Sequence, residues 1–244
     1  MQNEILLAVV QAATEFLPVS SSGHLALLSN IISEPDLFLI TILHVASLFA
    51  VLIFVRKEIY ELLTFKKQYR KLWLYLIIAT IPAALVGFFL NKLIEETFSS
   101  FLVLSLAFFF TGFILLLTRI KTPASKLNYK NALIIGLFQA IALFPGISRS
   151  GMTISSAMFA GIEKEKAAKF SFLLFIPIVI GAMILEAGQA YFSLTLAVAF
   201  VISFLLSLIF LNILVYVLKK GYFWMFSVYC FILGIISLIL YLFY

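Results

Sequence analysis

The sequence predicts an all-α integral membrane protein, an inverted-topology repeat of six transmembrane helices plus two re-entrant helical hairpins. Hydrophobic residues make up 64% of the 244 residues and charged residues only 11%, whereas about a quarter of a soluble domain is charged. Two of the apolar regions are interrupted by polar residues, and the interruptions match each other in sequence. The basic residues are also segregated along the chain.

Six stretches are apolar and meet or approach the roughly 20 residues that a spanning helix needs. Glu186 and the Lys219–Lys220 pair mark the boundaries between the last three stretches. The single cysteine, Cys230, lies in the last of them, which argues against a disulfide framework or a thiol–metal site. The predicted spans are Phe38–Val55, Trp73–Leu90, Phe98–Thr118, Phe170–Leu185, Ala187–Leu218 and Gly221–Tyr244.

Two further apolar regions, Ile5–Ile32 and Asn131–Ile162, each contain a polar tip between two half-helices. This pattern is typical of a re-entrant hairpin, which enters the membrane and leaves on the same side. Irregular backbone at membrane depth is stable only where it is buried in protein or lines a polar cavity. We therefore expect both tips to border a site.

The two hairpins match each other at an offset of 128 residues. Each is followed by three predicted spans, an odd number, so the two halves must have opposite orientations in the membrane. We expect a single membrane domain over 1–244, with repeat 1 at about 1–120, repeat 2 at about 128–244, and a site near the midplane where they meet. The matching pairs are Gln11 and Gln139, Ala12 and Ala140, Phe16 and Phe144, Ser20 and Ser148, Ser22 and Ser150, and Gly23 and Gly151.

The basic residues predict the orientation of the chain. With the N-terminus outside, the segments 56–72, 119–130, 162–169 and 219–220 lie inside and hold fifteen of the seventeen lysines and arginines. This asymmetry follows the positive-inside rule. It also assigns the basic character to the anionic membrane surface, so no nucleic-acid partner is expected. In this orientation the first hairpin opens to the outer face and the second to the cytoplasm.

The hairpins carry three ionisable groups, Glu15, His24 and Arg149. Each such group costs at least about 2.5 kcal/mol within the bilayer, so each needs a partner or a function. Taken singly, Glu15 and Arg149 could form a purely structural ion pair, and His24 could be a hydrogen-bonded structural histidine. Their shared position at repeat-related tips favours one common site. His44, by contrast, lies in an ordinary span, and we expect it to be a residue of that helix's polar face.

The chemistry of the two tips suits phosphate. Helix N-termini present free backbone N–H groups, serine hydroxyls add donors, and Arg149 adds a planar fork that matches phosphate oxygens. Two opposed anion sites in one cavity suit a pyrophosphate. Glu15 would repel that anion unless it orients His24 or Arg149, or unless a divalent cation, Mg²⁺ or Ca²⁺, bridges the two. The candidate substrate-binding residues are Gln11, Ser20, Ser22, Gly146, Ser148, Ser150 and Thr153.

Four stretches match the signatures of one family: QAATE at 11–15, FLPVSSSGH at 16–24, PGISRSGMT at 145–153 and FSFLLFIP at 170–177. On these motifs essentially the whole chain resembles the undecaprenyl-pyrophosphate phosphatase family of the bacitracin-resistance type. The resemblance implies that the catalytic residues are Glu15, Ser21, His24 and Arg149. Gln11 stands where that family often has Glu, which leaves Glu15 as the candidate metal ligand with one carboxylate fewer beside it.

The resemblance further implies an activity. It is hydrolysis of the C55 undecaprenyl pyrophosphate to its monophosphate and inorganic phosphate, at the outer face of a bacterial inner (cell) membrane. This reaction recycles the carrier lipid for cell-wall synthesis and confers bacitracin resistance. The expected partners are the lipid pyrophosphate, the bilayer and, in a homodimer, a second copy of the chain.

Several alternatives stay open at this point. The attacking group is either Ser21 with His24 as its base or a water activated by His24. A transporter or flippase of an anionic lipid or small anion shares the inverted repeat and the broken helices, but it needs no nucleophile and base around an arginine. A phosphatase of the phosphatidic-acid type needs a further catalytic histidine followed by Asp after the Ser-Arg element, and none stands there.

Overall fold

The computed structural model describes residues 2–32, 37–64, 66, 69–186 and 193–243. Within these residues the secondary structure is helical and contains no strand, which confirms the predicted all-α class. A 3₁₀ turn at Phe223–Met225 precedes the last helix. The helices are α1 (Gln2–Phe16), α2 (Ser21–Ile32), α3 (Leu37–Phe54), α4 (Arg56–Leu63), α5 (Arg70–Thr97), α6 (Phe101–Leu117), α7 (Tyr129–Ile141), α8 (Arg149–Phe159), α9 (Lys164–Glu186), α10 (Leu194–Lys220) and α11 (Phe226–Phe243).

Four of the described helices are long and apolar enough to cross a bilayer: α5, α9, α10, and α11 with its preceding turn. Helices α3 and α4 pass the same test only together and are bent by 75° where they join, and α6 is apolar but shorter. The chain is therefore a multi-pass membrane protein. The predicted fifth span begins in 187–192, which lie outside the described residues, as does Tyr244. The count of six spans and the inverted repeat stay predictions.

Both predicted hairpins are pairs of helices joined by a short turn, α1 with α2 and α7 with α8. Ser20 ends the first turn in the left-handed region at φ 66°, and Gly146 takes φ 89° in the second. The helix after each turn is capped in the same way. The Ser20 hydroxyl accepts the N–H of Gly23 at 3.2 Å, and the Ser148 hydroxyl accepts that of Gly151 at 3.1 Å. A serine cap satisfies one of the free N–H groups of a helix start.

The helices of the two halves pack against each other. Helix α1 packs along α10 and α7 packs along α5, while α6 packs along α11 and α3 along α9. In the predicted repeat, α1 corresponds to α7 and α10 corresponds to α5. Exchanging the two halves therefore converts the α1–α10 pair into the α7–α5 pair, which is the reciprocal packing that an inverted repeat requires. Large apolar side chains such as Phe88 and Phe89 of α5 are exposed, as expected of a surface that faces lipid tails.

The two hairpin tips touch each other inside the helix bundle. A Cβ on Gly23 would lie 2.8 Å from Gly146 Cα and 2.6 Å from the Phe108 ring, so only glycine allows this approach. Thr111 of α6 fixes the second tip from the opposite side. Its hydroxyl donates to the Gly146 carbonyl at 3.0 Å and accepts the N–H of Ser148 at 3.2 Å. The packing therefore brings the polar residues of both tips to one place.

Candidate active site

Glu15 lies near the end of α1 and is the hub of a buried polar cluster. Its Oε1 accepts a hydrogen bond from Arg149 Nη2 at 2.7 Å. Its Oε2 accepts one from the Ser21 hydroxyl at 2.6 Å and another from Gln11 Nε2 at 3.1 Å, and lies 3.1 Å from His44 Nε2. A carboxylate offers about four lone-pair sites. Three of the four contacts fall on Oε2 and one on Oε1. They come from α1 itself, through Gln11, and from three other helices.

Arg149 is the first residue of α8 and reaches Glu15 across the contact between the tips. Its guanidinium carbon lies 4.6 Å from the centroid of the Phe175 ring, which covers one face of the group. Nη1 is buried and has no hydrogen-bond partner among the described residues. Leaving a buried charged donor unpaired is costly. Of the two terminal nitrogens, Nη2 is therefore occupied and Nη1 is free, and Nη1 is suited to an anionic ligand.

His44 belongs to the site, so its expected place on the polar face of an ordinary span is wrong. Its Nδ1 lies 2.8 Å from the Ile40 carbonyl oxygen and its Nε2 lies 3.1 Å from Glu15 Oε2. A carbonyl oxygen and a carboxylate oxygen can only accept, so both ring nitrogens must donate. With Glu15 ionised, these two contacts correspond to a positively charged imidazolium. The sequence held one signal for it, because an ionisable residue inside the membrane is by default a functional candidate.

The charges of the cluster add up to a positive site. Glu15 and Arg149 form an ion pair at 2.7 Å, and His44 adds a further positive charge when both of its ring nitrogens are protonated. Charges separated from water interact more strongly than exposed ones. The surplus positive charge between the tips favours an anion and not a cation.

His24 lies in the same region, but its hydrogen bonds go to residues other than Ser21. Its Nδ1 is 2.7 Å from the Ser20 carbonyl oxygen, and its Nε2 is 2.8 Å from the hydroxyl of Tyr229 on α11. The Ser21 hydroxyl instead donates to Glu15. The expected pairing of Ser21 with His24 as its base is therefore not the one in the structure. The reason is that Ser21 begins α2 on the side of α1, whereas His24 faces α11.

Gln11 and Thr153, predicted to bind substrate, have partners within the protein. Gln11 is fully buried, and besides Glu15 its Nε2 donates to Ser47 at 3.2 Å while its Oε1 accepts from Ser203 at 3.0 Å. The Thr153 hydroxyl donates to the Arg149 carbonyl at 2.8 Å and lies 2.6 Å from the Ser171 hydroxyl. Both residues support the side chains that form the site. Direct contact with substrate stays a prediction for each.

The tip residues are engaged in the same repeat-related way. Ser22 lies 3.3 Å from the capping hydroxyl of Ser20, and Ser150 lies 3.3 Å from that of Ser148. Ser150 also donates to the Leu17 carbonyl at 3.3 Å, which links the second tip to the first. Gly146 serves the close packing of the tips described above. Phosphate contact by Ser20, Ser22, Gly146, Ser148 and Ser150 stays a prediction.

Sequence reasoning did not find several residues that shape the site. Besides His44, these are hydroxyl-bearing residues of the long helices, whose contacts depend on how those helices pack. Small polar residues are common at helix interfaces in membranes, so their presence alone gave only a weak signal. They are Ser47, Thr111, Ser171, Ser203, Ser207 and Tyr229.

The expected divalent cation has little support in the donor set. Within the described chain, no group of three or more His, Cys, Asp or Glu side chains is arranged to hold a metal ion. Glu15, the predicted ligand, uses both carboxylate oxygens on protein partners, one of them the Arg149 cation. Mg²⁺ and Ca²⁺ require several free oxygen ligands. These residues do not fit a resident cation, and the cation stays a prediction.

Known proteins resemble this chain over nearly its whole length. The family described as "Bacitracin resistance protein BacA" matches residues 4–236. The undecaprenyl-diphosphatase of Thermosipho africanus (strain TCF52B) is 43% identical over 243 residues, covering 96% of this chain and 98% of that protein. The undecaprenyl-diphosphatase of Methanococcus maripaludis (strain C7 / ATCC BAA-1331) is 42% identical over 239 residues, covering 94% and 96%. That of Alkaliphilus metalliredigens (strain QYMF) is 40% identical over 266 aligned residues, covering 96% of each chain.

Proposed function

Since the chain belongs to the bacitracin resistance protein BacA family, we propose that it hydrolyses undecaprenyl pyrophosphate to undecaprenyl phosphate and inorganic phosphate. The observation that carries this proposal is the cluster at the contact of the two tips. There a serine hydroxyl is hydrogen-bonded to a carboxylate, which in turn holds an arginine with a free buried nitrogen. A nucleophile, a proton acceptor and a phosphate-binding cation are thus within one cluster.

Arg149 binds the terminal phosphate of the substrate through Nη1, while Nη2 stays on Glu15. Planar guanidinium groups match phosphate oxygens and stabilise the charge of the transferring phosphoryl group. Phe175 limits the directions in which the guanidinium can turn, because the ring covers one of its faces. His44 adds a second positive charge close by. Fixed charges of this kind are usually the largest contribution to catalysis in such reactions.

Ser21 attacks the terminal phosphorus, and its proton passes to Glu15 along their 2.6 Å hydrogen bond. The bond between that phosphorus and the bridging oxygen breaks, and undecaprenyl phosphate leaves with the electron pair. As Arg149 engages the phosphate, less of its charge is available to Glu15, and the carboxylate becomes a better proton acceptor. An activated nucleophile beside its base is the general arrangement for covalent catalysis.

Water then hydrolyses the phosphoserine. His24 accepts a proton from this water at Nε2, the water oxygen bonds to phosphorus, and the Ser21 oxygen leaves with the proton from Glu15. Inorganic phosphate departs, and His24 gives its proton to the solvent. This assigns His24 to the second step, because in the structure the hydroxyl of Ser21 is bonded to Glu15 and not to His24.

The cellular setting is part of the proposal. The distribution of the basic segments supports an orientation in which the first hairpin opens at the outer face of the cell membrane, where the reaction would recycle the carrier lipid for cell-wall synthesis. This reaction lowers the amount of undecaprenyl pyrophosphate in the membrane, which is the proposed route to bacitracin resistance. A divalent cation and a homodimer stay predictions, and no step above depends on either.

Phosphate release tests the proposal against the transporter alternative. Purified protein in detergent is given undecaprenyl pyrophosphate, and inorganic phosphate and the lipid monophosphate are measured together. The proposal requires the two products in equal amounts. A protein that binds the lipid or moves it across a vesicle membrane, but forms neither product, would be a transporter and the proposal would be wrong.

A further inference from the structure

A tyrosine that the sequence motifs do not include contacts His24. The Tyr229 hydroxyl lies 2.8 Å from His24 Nε2, and the two rings stack with centroids 5.7 Å apart and 11° between their planes. The residues are 205 positions apart, on α2 and α11. Two separate contacts, one polar and one between the ring faces, therefore connect the last helix to the first hairpin.

The other end of the histidine fixes the direction of this hydrogen bond. Nδ1 lies 2.7 Å from the Ser20 carbonyl oxygen, which can only accept, so Nδ1 carries a proton. In a neutral imidazole the lone pair is then on Nε2. The Tyr229 hydroxyl donates to that lone pair. A neutral His24 therefore has a single tautomer here, with its proton on Nδ1 and its Nε2 accepting from the Tyr229 hydroxyl.

Tyr229 is itself fixed in place by its neighbour. Cys230 is buried, and its thiol donates to the Pro18 carbonyl at 3.6 Å, which attaches this turn of α11 to the first tip. Tyr229 is 44% exposed, while His24 is only 9% exposed. The tyrosine ring therefore stands between the buried histidine and the outside of the helix bundle.

We infer that Tyr229 is a positioning residue for the hydrolysis, an inference that rests on the proposed function. Its hydroxyl holds the His24 ring with the Nε2 lone pair in the orientation that accepts a proton from the attacking water. The hydroxyl occupies the place from which a water would bond to Nε2. It gives up this place when the water enters after phosphoserine formation, and it returns when phosphate has left.

The first test is a spectroscopic one that needs no activity. The chain has two histidines, so ¹⁵N-histidine labelling gives the nitrogen signals of two imidazole rings. In a His44→Gln variant only the signals of His24 remain. We expect the wild-type His24 to be neutral, protonated at Nδ1, with Nε2 shifted by an accepted hydrogen bond. In Tyr229→Phe, Nδ1 should keep its proton and the Nε2 signal should move to the value of an unbonded nitrogen. A His24 protonated at Nε2 in the wild type would overturn the inference.

The second test is kinetic. Tyr229→Phe keeps the stacked ring and removes only the hydroxyl, so the imidazole is no longer held in one orientation before the water enters. We expect kcat to fall, by up to about tenfold, the effect of one hydrogen bond. The KM for the lipid should stay within about twofold, because the hydroxyl acts through His24. Tyr241→Phe, on an exposed part of the same helix, is the matched control and should change neither value.

The outcomes separate this inference from the proposed function. An unchanged kcat and an unchanged Nε2 signal in Tyr229→Phe would overturn the inference. So would a raised KM at wild-type kcat, because the tyrosine would then contact only the lipid. A wild type that releases no phosphate would refute the proposed function, while the imidazole signals would still show whether Tyr229 holds His24.

Discussion

The Arg149 guanidinium and the Glu15 carboxylate lie 2.7 Å apart although 134 residues separate them in sequence. Each residue belongs to a different hairpin, so their ion pair exists only because the two tips meet. The pair engages Nη2 and leaves Nη1 free. The same contact therefore joins the two hairpins and leaves one arginine nitrogen for the proposed phosphate site.

Arg149→Lys should fail nearly as badly as Arg149→Ala in phosphate release. A lysine keeps the charge but has a single nitrogen, so it cannot contact Glu15 and the phosphate as the planar fork does. We expect a loss of at least about 10³-fold in kcat for Arg149→Ala, by analogy with arginines that stabilise phosphoryl transfer. Near-normal turnover of the lysine variant would contradict the bridging role, and Arg149 would be only a point charge.

His44→Leu should lower kcat by about 10- to 100-fold, because it removes a charged hydrogen bond from Glu15. Arg149 would then be the only charged partner of the carboxylate among the contacts described, and Glu15 would hold it more tightly. His44→Gln can restore a donor without the charge, so its kcat should lie between those of His44→Leu and the wild type. Steady-state kinetics on folded, detergent-purified protein measure this order. A His44→Leu variant with wild-type kcat would show that the histidine is not part of the site.

Gly23→Ala should disrupt the contact between the tips. The new Cβ would lie 2.6 Å from the Phe108 ring and 2.8 Å from Gly146 Cα, and the backbone cannot easily move away. Overpacking of this kind costs about 1–3 kcal/mol, so we expect a lower midpoint of thermal unfolding and reduced activity. Gly181→Ala is the matched control, since a Cβ there meets nothing within 4 Å. Equal behaviour of the two variants would refute the close approach.

The orientation of the chain can be tested by labelling introduced cysteines. In a variant without Cys230, cysteine replaces either Lys66 or Glu95, both of which are exposed. Because the basic segments are predicted to lie inside, an impermeant thiol reagent added to intact cells should label only position 95. Labelling of position 66 alone would reverse the orientation, and the first hairpin would open to the cytoplasm.

The sequence allowed two helical hairpins, and the placement of Glu15 and Arg149 in one site, to be predicted, because both follow from local signals. Proline, glycine and serine interrupt the apolar stretches, and buried charges need partners. The partner of Ser21 was not predictable in this way. Ser21 and His24 are close in sequence, but their directions depend on which neighbouring helix each one faces. Only in the folded bundle does Glu15, on α1, bind Ser21 while Tyr229, on α11, binds His24.

The contact of His44 with Glu15 could not be predicted from local sequence either. Nothing near it in sequence distinguishes it from a polar residue on the face of an ordinary span. Its contact with Glu15 bridges 29 positions and requires α3 to pack beside α1. Serines of α3 and α10 complete the network around Gln11 for the same reason. Tertiary packing, and not local pattern, determines these contacts.

Ser21→Ala tests the central claim, that phosphate is transferred at the contact of the two hairpin tips. Purified wild type, Ser21→Ala and the control Ser237→Ala, a buried serine of α11, are given undecaprenyl pyrophosphate labelled in its terminal phosphate. Bound lipid and released phosphate are measured in a single turnover. We predict that Ser21→Ala binds the lipid through Arg149 but releases no phosphate, while Ser237→Ala behaves like the wild type. Release by Ser21→Ala at the wild-type rate would contradict the account.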